Sequence, residues 1–313
     1  MDSAAAGALW TLLLPFAVAA AALLAAAFNA VLDNRTQRLP AVAGLASPVR
    51  ETARLLRQQR RTLPGADALL WRIGSAGLVV AAVLMMLVVP FGAFTFADLP
   101  VGLVWFNAMD VLLWALWWLL GWGANSAWSL VGGYRFLAQA LSYELPLMFA
   151  LTAPAVGAGS LRLLDIQSSQ QDLWFVVWMP AAFLVYAASV LAFSSWGPFQ
   201  TATAADAAGG VLAELSGVDR LLVLAGRYML LVAGAAFAVP LFLGGGSGPW
   251  FPDPVWVVVK TLVLLAVLIS VRRLFPLVRP ERLAEVAWIL VMPLVLVQLG
   301  VVAIVVVVNG GTP

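Results

Sequence analysis

The sequence predicts an all-α integral membrane protein with eight transmembrane helices and an amphipathic helix in the first cytoplasmic loop. Of its 313 residues, 63% are hydrophobic and 10% are charged, whereas about 25% of the residues in a soluble domain are charged. The apolar residues occur in runs of about twenty, the length that crosses a bilayer as a helix, and not as alternating strands of about ten. These observations predict a helical bundle embedded in the membrane.

Eight apolar runs are long enough to cross a hydrocarbon core of ~30 Å at ~1.5 Å per residue. We expect the first run to be a span and not a signal peptide, because Asp2 stands where a basic segment would belong. No internal repeat or domain boundary is visible, so residues 1–313 are predicted to form one transmembrane domain. The predicted spans are residues 4–32, 75–93, 101–120, 136–156, 173–193, 221–243, 254–271 and 286–308.

The basic residues predict the orientation of these spans. Fourteen of the seventeen Lys and Arg residues fall in the odd-numbered loops, and one, Arg162, falls in the even-numbered loops. Cytoplasmic loops carry the excess of Lys and Arg. The odd-numbered loops are therefore predicted to be cytoplasmic, and both termini are predicted to lie on the outer side. The other two basic residues, Arg227 and Lys260, lie within predicted spans.

The chain has neither His nor Cys. It therefore lacks the ligands of iron–sulfur clusters, of the commonest haem sites and of the usual zinc sites. A His-based triad, a Cys nucleophile and a disulfide are excluded as well. We expect no metal site and no catalytic residue in this chain, and any redox chemistry must take place on a bound small molecule or in a partner subunit.

The first cytoplasmic loop, residues 33–74, contains a pattern typical of an amphipathic helix over residues 48–61. Ser47 at the cap and Pro48 in the first turn are a helix start signal. Val49, Ala53 and Leu56 share one face, and arginines occupy the others. From the pattern alone, this helix is predicted to lie on the headgroups of anionic lipids.

Ionisable residues inside predicted spans are the candidates for function, because a charge at the bilayer centre costs at least ~2.5–3.5 kcal/mol. The set has two interpretations: structural ion pairs that lock helices together, or a chain of groups that moves protons or lines a cation path. Arg135, Gln139 and Ser142 recur at helical spacing, so they are predicted to form a polar stripe on the helix that carries Glu144. Arg135 and Gln139 are the nearest candidate partners for Glu144 in that helix. The candidates are Asp110, Glu144, Arg227 and Lys260 within spans, with Arg135 and Tyr143 near the start of the fourth span.

Several short motifs follow one another along the chain in a recognisable order. They resemble the pattern of the H subunit of respiratory complex I, called subunit 1 in mitochondria, and the resemblance extends along nearly the whole chain. Eight spans with both termini outside is also the topology of that family. The motifs are Val-Pro-Phe-Gly at 89–92, Gly-Trp-Gly-Ala-Asn-Ser at 121–126, Ser-Tyr-Glu at 142–144, Gly-Ser-Leu at 159–161, Asp-Ile at 165–166, Pro-Phe at 198–199 and Glu-Leu-Ser-Gly at 214–217.

The resemblance implies a membrane subunit of NADH-quinone oxidoreductase, in the inner (plasma) membrane of the cell, that forms part of the quinone chamber and links quinone reduction to proton translocation. Quinone is then a substrate at a shared site, and iron–sulfur clusters occur only in partner subunits. The implied partners are the iron–sulfur subunits of the peripheral arm, antiporter-like membrane subunits and lipid, but no nucleic acid. By motif position, the quinone chamber would include Glu51, Arg54, Trp196, Phe199 and Glu214, and the proton path would include Asp110, Arg135, Tyr143, Glu144, Arg227 and Lys260.

The chain departs from the family pattern where that pattern is rich in carboxylates. The third cytoplasmic loop has Phe193 in place of a Glu, Gln200 in place of an Asp, and an acidic cluster reduced to Asp206. Arg227 stands where a Glu is usual. Asp110 is not called for by the pattern.

Three alternatives follow for the unusual charges. Asp110 pairs with Arg227, or Arg227 turns to Glu144, or Arg227 snorkels to cytoplasmic water. Two alternatives also stand beside the leading function. One is an adapter that joins a redox arm to antiporter-like subunits without a working quinone site, as in hydrogenase-related assemblies. The other is an independent transporter or channel.

Overall fold

The computed structural model describes residues 8–204 and 209–308, and this part of the chain is an α-helical bundle without a β-strand. Eight helices or helix pairs in it are long and apolar enough to cross a membrane, so the predicted class and number of spans are confirmed. The spans are α1, α4, α5, α6, α9 with the helical turn that follows it up to Phe199, α10, α11 and the α12–α13 pair. The helices are α1 Ala8–Thr36, α2 Ala41–Leu45, α3 Ser47–Arg57, α4 Ala68–Met86, α5 Gly102–Gly123, α6 Ala127–Ala158, α7 Leu163–Ser168, α8 Phe175–Trp178, α9 Pro180–Phe193, α10 Gly217–Phe242, α11 Asp253–Leu274, α12 Pro280–Val286 and α13 Met292–Val308.

Helix α10 is at the centre of the bundle. Every residue from Met229 to Phe242 is buried, and the helix packs against α1, α4, α9 and α11. By contrast, most side chains of α13 are exposed. The last span therefore lies at the edge of the bundle, where its apolar side chains face lipid or another membrane protein.

The two ends of the bundle differ in charge. We call the end that carries loops 37–67, 124–126, 194–204 with 209–216, and 275–279 the arginine-rich end, and the other the opposite end. At the opposite end, Arg162 forms ion pairs with Asp98 and with Asp165, and it thereby joins the α4–α5 loop to the start of α7. The hydrogen bond with Asp98 raises the pKa of Arg162.

Several helices begin earlier than the apolar runs indicate. Helix α4 starts at Ala68 and not at residue 75, because the Asp67 side chain accepts hydrogen bonds from the backbone N–H groups of Leu69 and Leu70 at 2.9 and 3.2 Å. Arg72, predicted in the loop, therefore lies within α4. Helix α6 likewise begins at Ala127, so Arg135 lies two turns inside a helix and not ahead of it.

The fifth and eighth spans are interrupted, which the apolar runs do not reveal. The apolar run predicted as the fifth span, residues 173–193, contains both α8 and α9, with a break at Met179 where Pro180 begins the second helix. The eighth contains a π-helical turn at Ala287–Val291 between α12 and α13. A proline at the first position of a helix lacks only an N–H that would have no helical partner, so a new helix starts there easily.

The predicted amphipathic helix is present as α3, although it ends at Arg57 and not at residue 61. Leu55 is fully buried, and α3 packs against α1 and α10. Val49 and Leu56, on the predicted apolar face, are 61% and 58% exposed. That face points away from the protein, as a surface in contact with lipid would.

Candidate functional site

Four polar side chains from two neighbouring helices, all buried except the half-buried Asn107, form a cluster midway along the bundle, which we call the carboxyl cluster: Asn107, Asp110, Tyr143 and Glu144. The Tyr143 hydroxyl donates to Oδ1 of Asp110 at 3.2 Å, and the Asn107 amide donates to Oε1 of Glu144 at 3.4 Å. Asp110 is completely buried, and Glu144 is 8% exposed. Each carboxyl group accepts a hydrogen bond from a residue on the other's helix, next to or one turn from the other acid, so the two groups lie side by side across the α5–α6 contact.

The sequence places these groups together through helical spacing and close packing. Asn107, Asp110 and Trp114 recur at i, i+3 and i+7, so they share one face of α5. Helices α5 and α6 approach closely near the arginine-rich end, where a Cβ atom at Gly121 would lie 2.8 Å from the Cα of Gly133. The close crossing brings the polar face of α5 against α6.

Aromatic side chains surround the carboxyl cluster on the side of α9 and α10. Phe106, the neighbour of Asn107 on α5, stacks on Phe237 with ring centroids 3.8 Å apart. Tyr186 of α9 lies near Phe106 at 6.4 Å, and its hydroxyl donates to the backbone carbonyl of Gly234 at 2.7 Å. The Tyr186 hydroxyl is therefore already committed to α10, and the wall around the cluster is apolar.

At the arginine-rich end, Glu214 joins three loops. Arg61 forms an ion pair with Oε2 of Glu214 at 2.9 Å, and the Ser126 hydroxyl donates to Oε1 at 2.8 Å. The backbone N–H of Arg61 also donates to the Ser216 hydroxyl at 2.6 Å. The first loop, the α5–α6 turn and the third loop are thus connected through a single carboxylate.

Trp196 is buried between two guanidinium groups. Those of Arg227 and Arg272 each lie 5.6 Å from the centroid of its ring, and the ring of Tyr228 lies 4.9 Å away. A cation this close to an aromatic face is attracted by the quadrupole of the ring. Phe199, in a short helical turn after Trp196, is half-buried against the core.

The predicted partners of Arg227 are wrong. Its guanidinium donates to the backbone carbonyls of Ser194 and Ser195 and contacts neither Asp110 nor Glu144. Arg227 is 6% exposed, so it does not snorkel to water either. The reason is a tight turn at the end of α9, where Ser195 has a φ of 50° and free carbonyl groups lie beside α10.

The polar stripe of α6 faces a different neighbour from the one predicted. Arg135 donates to the carbonyl of Gly209 at 2.7 Å, and Gln139 donates to the carbonyl of Ala192 at 2.7 Å. Both were expected beside Glu144, and that prediction is wrong. The stripe faces α9 and the third loop, whereas Glu144 lies further round the helix and faces α5.

Lys260 lies at the opposite end, near the start of α11. Its ammonium group donates to the carbonyls of Leu243, Gly245 and Ser247 at 2.7, 2.9 and 2.8 Å, and it stands 4.1 Å from the centroid of the Trp174 ring. An ammonium group has three N–H donors, and all three are used here. Lys260 therefore closes the end of α10 and is separate from the carboxyl cluster.

Glu51 and Arg54 form an ion pair with each other on α3, with hydrogen bonds of 2.7 and 2.5 Å. The hydrogen bond from Arg54 lowers the pKa of Glu51, and the same bond raises the pKa of Arg54. Both side chains are exposed, at 43% and 58%. A pair of this kind stabilises a helix only slightly.

Two hollows in the described part of the chain are large enough for a small ligand. One, of about 450 Å³, lies at the arginine-rich end and is lined by Asp67, Asn125 and Ser126 among others. The other, of about 330 Å³, is an apolar groove at the opposite end that is lined by Phe91 and other apolar side chains. None of the five residues predicted for the quinone chamber lines either one, although Glu214 is hydrogen-bonded to Ser126 at the first.

Three residues of these sites were missed by sequence reasoning. Asn107 and Trp114 share a helix face with Asp110, and that spacing was a usable signal. Ser126 ends the Gly-Trp-Gly-Ala-Asn-Ser motif, so the motif pointed to this residue, but nothing in the sequence indicated that Glu214 is its partner. Asp206, the acidic residue expected in the third loop, lies outside the described residues.

The comparisons with known proteins agree with the geometry. A sequence model of the family described as NADH dehydrogenase matches residues 7–303. The first H subunit of the NADH-quinone oxidoreductase of Geobacter metallireducens is 34% identical over 267 residues, which cover 82% of this chain and 81% of that protein. The chain belongs to the H-subunit family of NADH-quinone oxidoreductase. The H subunit of Geobacillus kaustophilus is 34% identical over 84% of this chain and 80% of that protein. The first H subunit of Rhodopseudomonas palustris strain HaA2 is 33% identical over 83% of this chain and 82% of that protein.

Within the H-subunit family, the structure explains how this chain accommodates one of its departures. Phe193, which the resemblance predicts to stand in place of a Glu, is fully buried, and its ring centroid lies 6.2 Å from that of Phe106. An ionised carboxylate could not occupy such an apolar site without a partner. The acidic groups that the structure places inside this family member, midway along its spans, are instead Asp110 and Glu144.

Proposed function

We propose that this chain is the membrane subunit of an NADH-quinone oxidoreductase, that it forms part of the quinone chamber at its arginine-rich end, and that it links quinone reduction to proton translocation. The observation that supports the proposal most strongly is the carboxyl cluster in a member of the H-subunit family. Buried acids midway along a membrane span are costly, and they are typical of proton pathways. The cluster is therefore the element on which we base the coupling role.

The residues at the arginine-rich end support a place for quinone there. Arg61, Ser126 and Glu214 form a polar contact beside the 450 Å³ hollow. A quinone head group needs hydrogen-bond donors for its two oxygens and a route for protons to reach them. Because the sequence has no His and no Cys, the electrons would come from iron–sulfur clusters in partner subunits.

The asymmetry of charge supports an orientation for the subunit. We assign the arginine-rich end to the cytoplasm of the plasma membrane, with both termini on the outer side. The iron–sulfur subunits of the peripheral arm would dock on that end, near Glu51, Arg54, Trp196 and Phe199. Antiporter-like subunits would lie beside the chain in the membrane, and lipid would cover the remaining apolar surface.

An adapter without a working quinone site is the second candidate. The comparisons do not favour it, because the relatives are named as subunits of a quinone oxidoreductase, but the five residues predicted for the chamber do not line one cavity. Glu51 and Arg54 satisfy each other, and Trp196 is 2% exposed. An adapter would hold the same partners together, but its own residues would not affect the binding of quinone.

The test is to delete the gene in the source organism and to purify the complex from cells that carry an affinity-tagged copy. We expect iron–sulfur subunits and antiporter-like subunits to copurify with the chain, and NADH-dependent quinone reduction to be lost from membranes of the deletion strain. We also expect Ser126→Ala to raise the KM for quinone in an assembled complex, because Ser126 lies at the hollow. An assembled complex that reduces quinone with an unchanged KM for a series of chamber variants would favour the adapter.

A further inference from the structure

Two oxygens of the carboxyl cluster have no donor. Oδ2 of Asp110 and Oε2 of Glu144 are buried and accept no hydrogen bond from any described donor. The two carboxyl groups lie side by side across the α5–α6 contact, because Tyr143, next to Glu144, donates to Asp110, and Asn107, one turn before Asp110, donates to Glu144. A buried acceptor left without a donor costs roughly 1–3 kcal/mol, and more when it is charged. We propose that Asp110 and Glu144 share a single proton and together form a one-proton binding site inside the membrane.

A proton explains both unsatisfied oxygens at once. A carboxyl group that is protonated gains an O–H donor. If one of the two unsatisfied oxygens carries the proton, it can donate a hydrogen bond to the other, and neither is then left without a partner. Two carboxylates in contact cannot both be ionised at an ordinary cost, because like charges repel strongly in a medium of low dielectric constant. The pair therefore holds one proton and one negative charge.

No cation replaces that proton. In the part of the chain that the structure describes, no Arg or Lys side chain forms a hydrogen bond or an ion pair with either carboxyl group. The titratable groups that face the pair are Tyr143 on α6 and Tyr186 on α9. The buried face of α4, the other close neighbour of α5, has no titratable residue.

The surroundings indicate which carboxyl carries the proton. Glu144 accepts a hydrogen bond from the Asn107 amide, keeps slight exposure, and faces the side of α5 that also carries the unpartnered indole N–H of Trp114. Donors of this kind stabilise the ionised form. Asp110 is wholly buried and has one donor, the Tyr143 hydroxyl. The proton therefore lies on Asp110, which donates it to the Glu144 carboxylate.

The site would exchange its proton through Glu144, since that member alone reaches the surface of the described bundle. Use of the site in coupling depends on the proposed function, whereas the shared proton depends only on the geometry. The two ideas can therefore fail separately. A proton found on the pair in an oxidoreductase that does not pump would contradict the function and leave the site intact.

The experiment is infrared spectroscopy of the full chain in its membrane complex at neutral pH, in H₂O and in D₂O. We expect one protonated carboxyl band that shifts in D₂O, that shifts again when aspartate is labelled with ¹³C in the side-chain carboxyl, and that disappears in Asp110→Asn. In Glu144→Gln the band should persist at a changed frequency, because the acceptor has become an amide. Glu285→Gln, at an exposed carboxylate, is the matched control and should leave the band unchanged.

Several outcomes would overturn the proposal. Wild-type protein without a band sensitive to aspartate labelling has no proton on Asp110. A band that survives Asp110→Asn and disappears in Glu144→Gln places the proton on the other carboxyl. If Asp110→Asn and Glu144→Gln each remove a different protonated carboxyl band, both groups are protonated and they do not share one proton. If Asp110→Asn does not assemble, the labelling of wild-type protein and the frequency shift expected in Tyr143→Phe decide the question.

Discussion

The contacts of Lys260 predict a large loss of stability when its charge is removed. Lys260→Met keeps the length of the side chain but removes three hydrogen bonds, to the carbonyls of Leu243, Gly245 and Ser247, and the contact with Trp174. The Gly245 bond is buried and the other two are partly buried. A buried carbonyl left unpaired costs about 1–3 kcal/mol, hydrated ones cost less, and a lost cation–π contact costs about 0.5–2 kcal/mol.

Together these contributions predict a loss of about 2–5 kcal/mol. The free energy of unfolding can be measured in mixtures of SDS and a mild detergent, with tryptophan fluorescence as the readout. Arg282→Met is the matched control. Arg282 forms an exposed ion pair with Glu285, 72% and 53% exposed, and such pairs contribute about 0–1 kcal/mol.

The same variant separates structure from proton transfer. Because all three N–H donors of Lys260 are bound to backbone carbonyls, we expect the quinone turnover of each assembled Lys260→Met complex to equal that of the wild type. A loss below about 1 kcal/mol, similar to the exposed control, would refute the reasoning from hydrogen bonds. Normal stability combined with lost turnover would restore Lys260 to the proton path.

Two further predictions concern Arg227 and the surface helix. Arg227→Gln and Asp110→Asn should each lower the free energy of unfolding in the same assay. Because the two residues have no shared partner, the loss in the double variant should equal the sum of the single losses within about 0.5 kcal/mol. A double variant that loses much less than the sum would mean that the two residues are coupled. The hydrogen bond from Arg54 lowers the pKa of Glu51 below 4.5, so its small contribution is present above that pH and is lost as the pH falls through the lowered value. Wild type and Glu51→Gln should therefore differ slightly in unfolding free energy at pH 7 and converge in acid, and a difference that grows in acid would contradict the sign.

Composition and the length of the apolar runs were sufficient to predict the eight spans, because hydrophobic length is a property of the sequence itself. The ends of the helices were not predictable in this way. Helix α4 begins at Ala68 because the side chain of Asp67 caps it, and the fifth span is broken at Pro180. Both features depend on single residues at the edge of an apolar run or inside one, where average hydrophobicity carries no information.

The candidate residues of the carboxyl cluster could be selected from the sequence, but their partners could not. Asp110 and Glu144 were conspicuous as charges within spans. That they face each other follows from the close crossing of α5 and α6, which is a property of the packed bundle. Arg227 was expected to need an acidic partner, but backbone carbonyls at the end of α9 serve instead, and carbonyl groups freed by a turn leave no mark in the sequence.

The most direct test of the proposed coupling is the number of protons translocated per quinone reduced, measured in sealed vesicles that contain the complex with Glu144→Gln. The substitution keeps the shape of the side chain and removes its carboxyl group, so the proton on Asp110 loses the group through which it would be exchanged. We predict an assembled complex whose proton translocation is lost or strongly reduced relative to the wild type. An assembled Glu144→Gln complex with the wild-type ratio and the wild-type rate of quinone reduction would contradict the account.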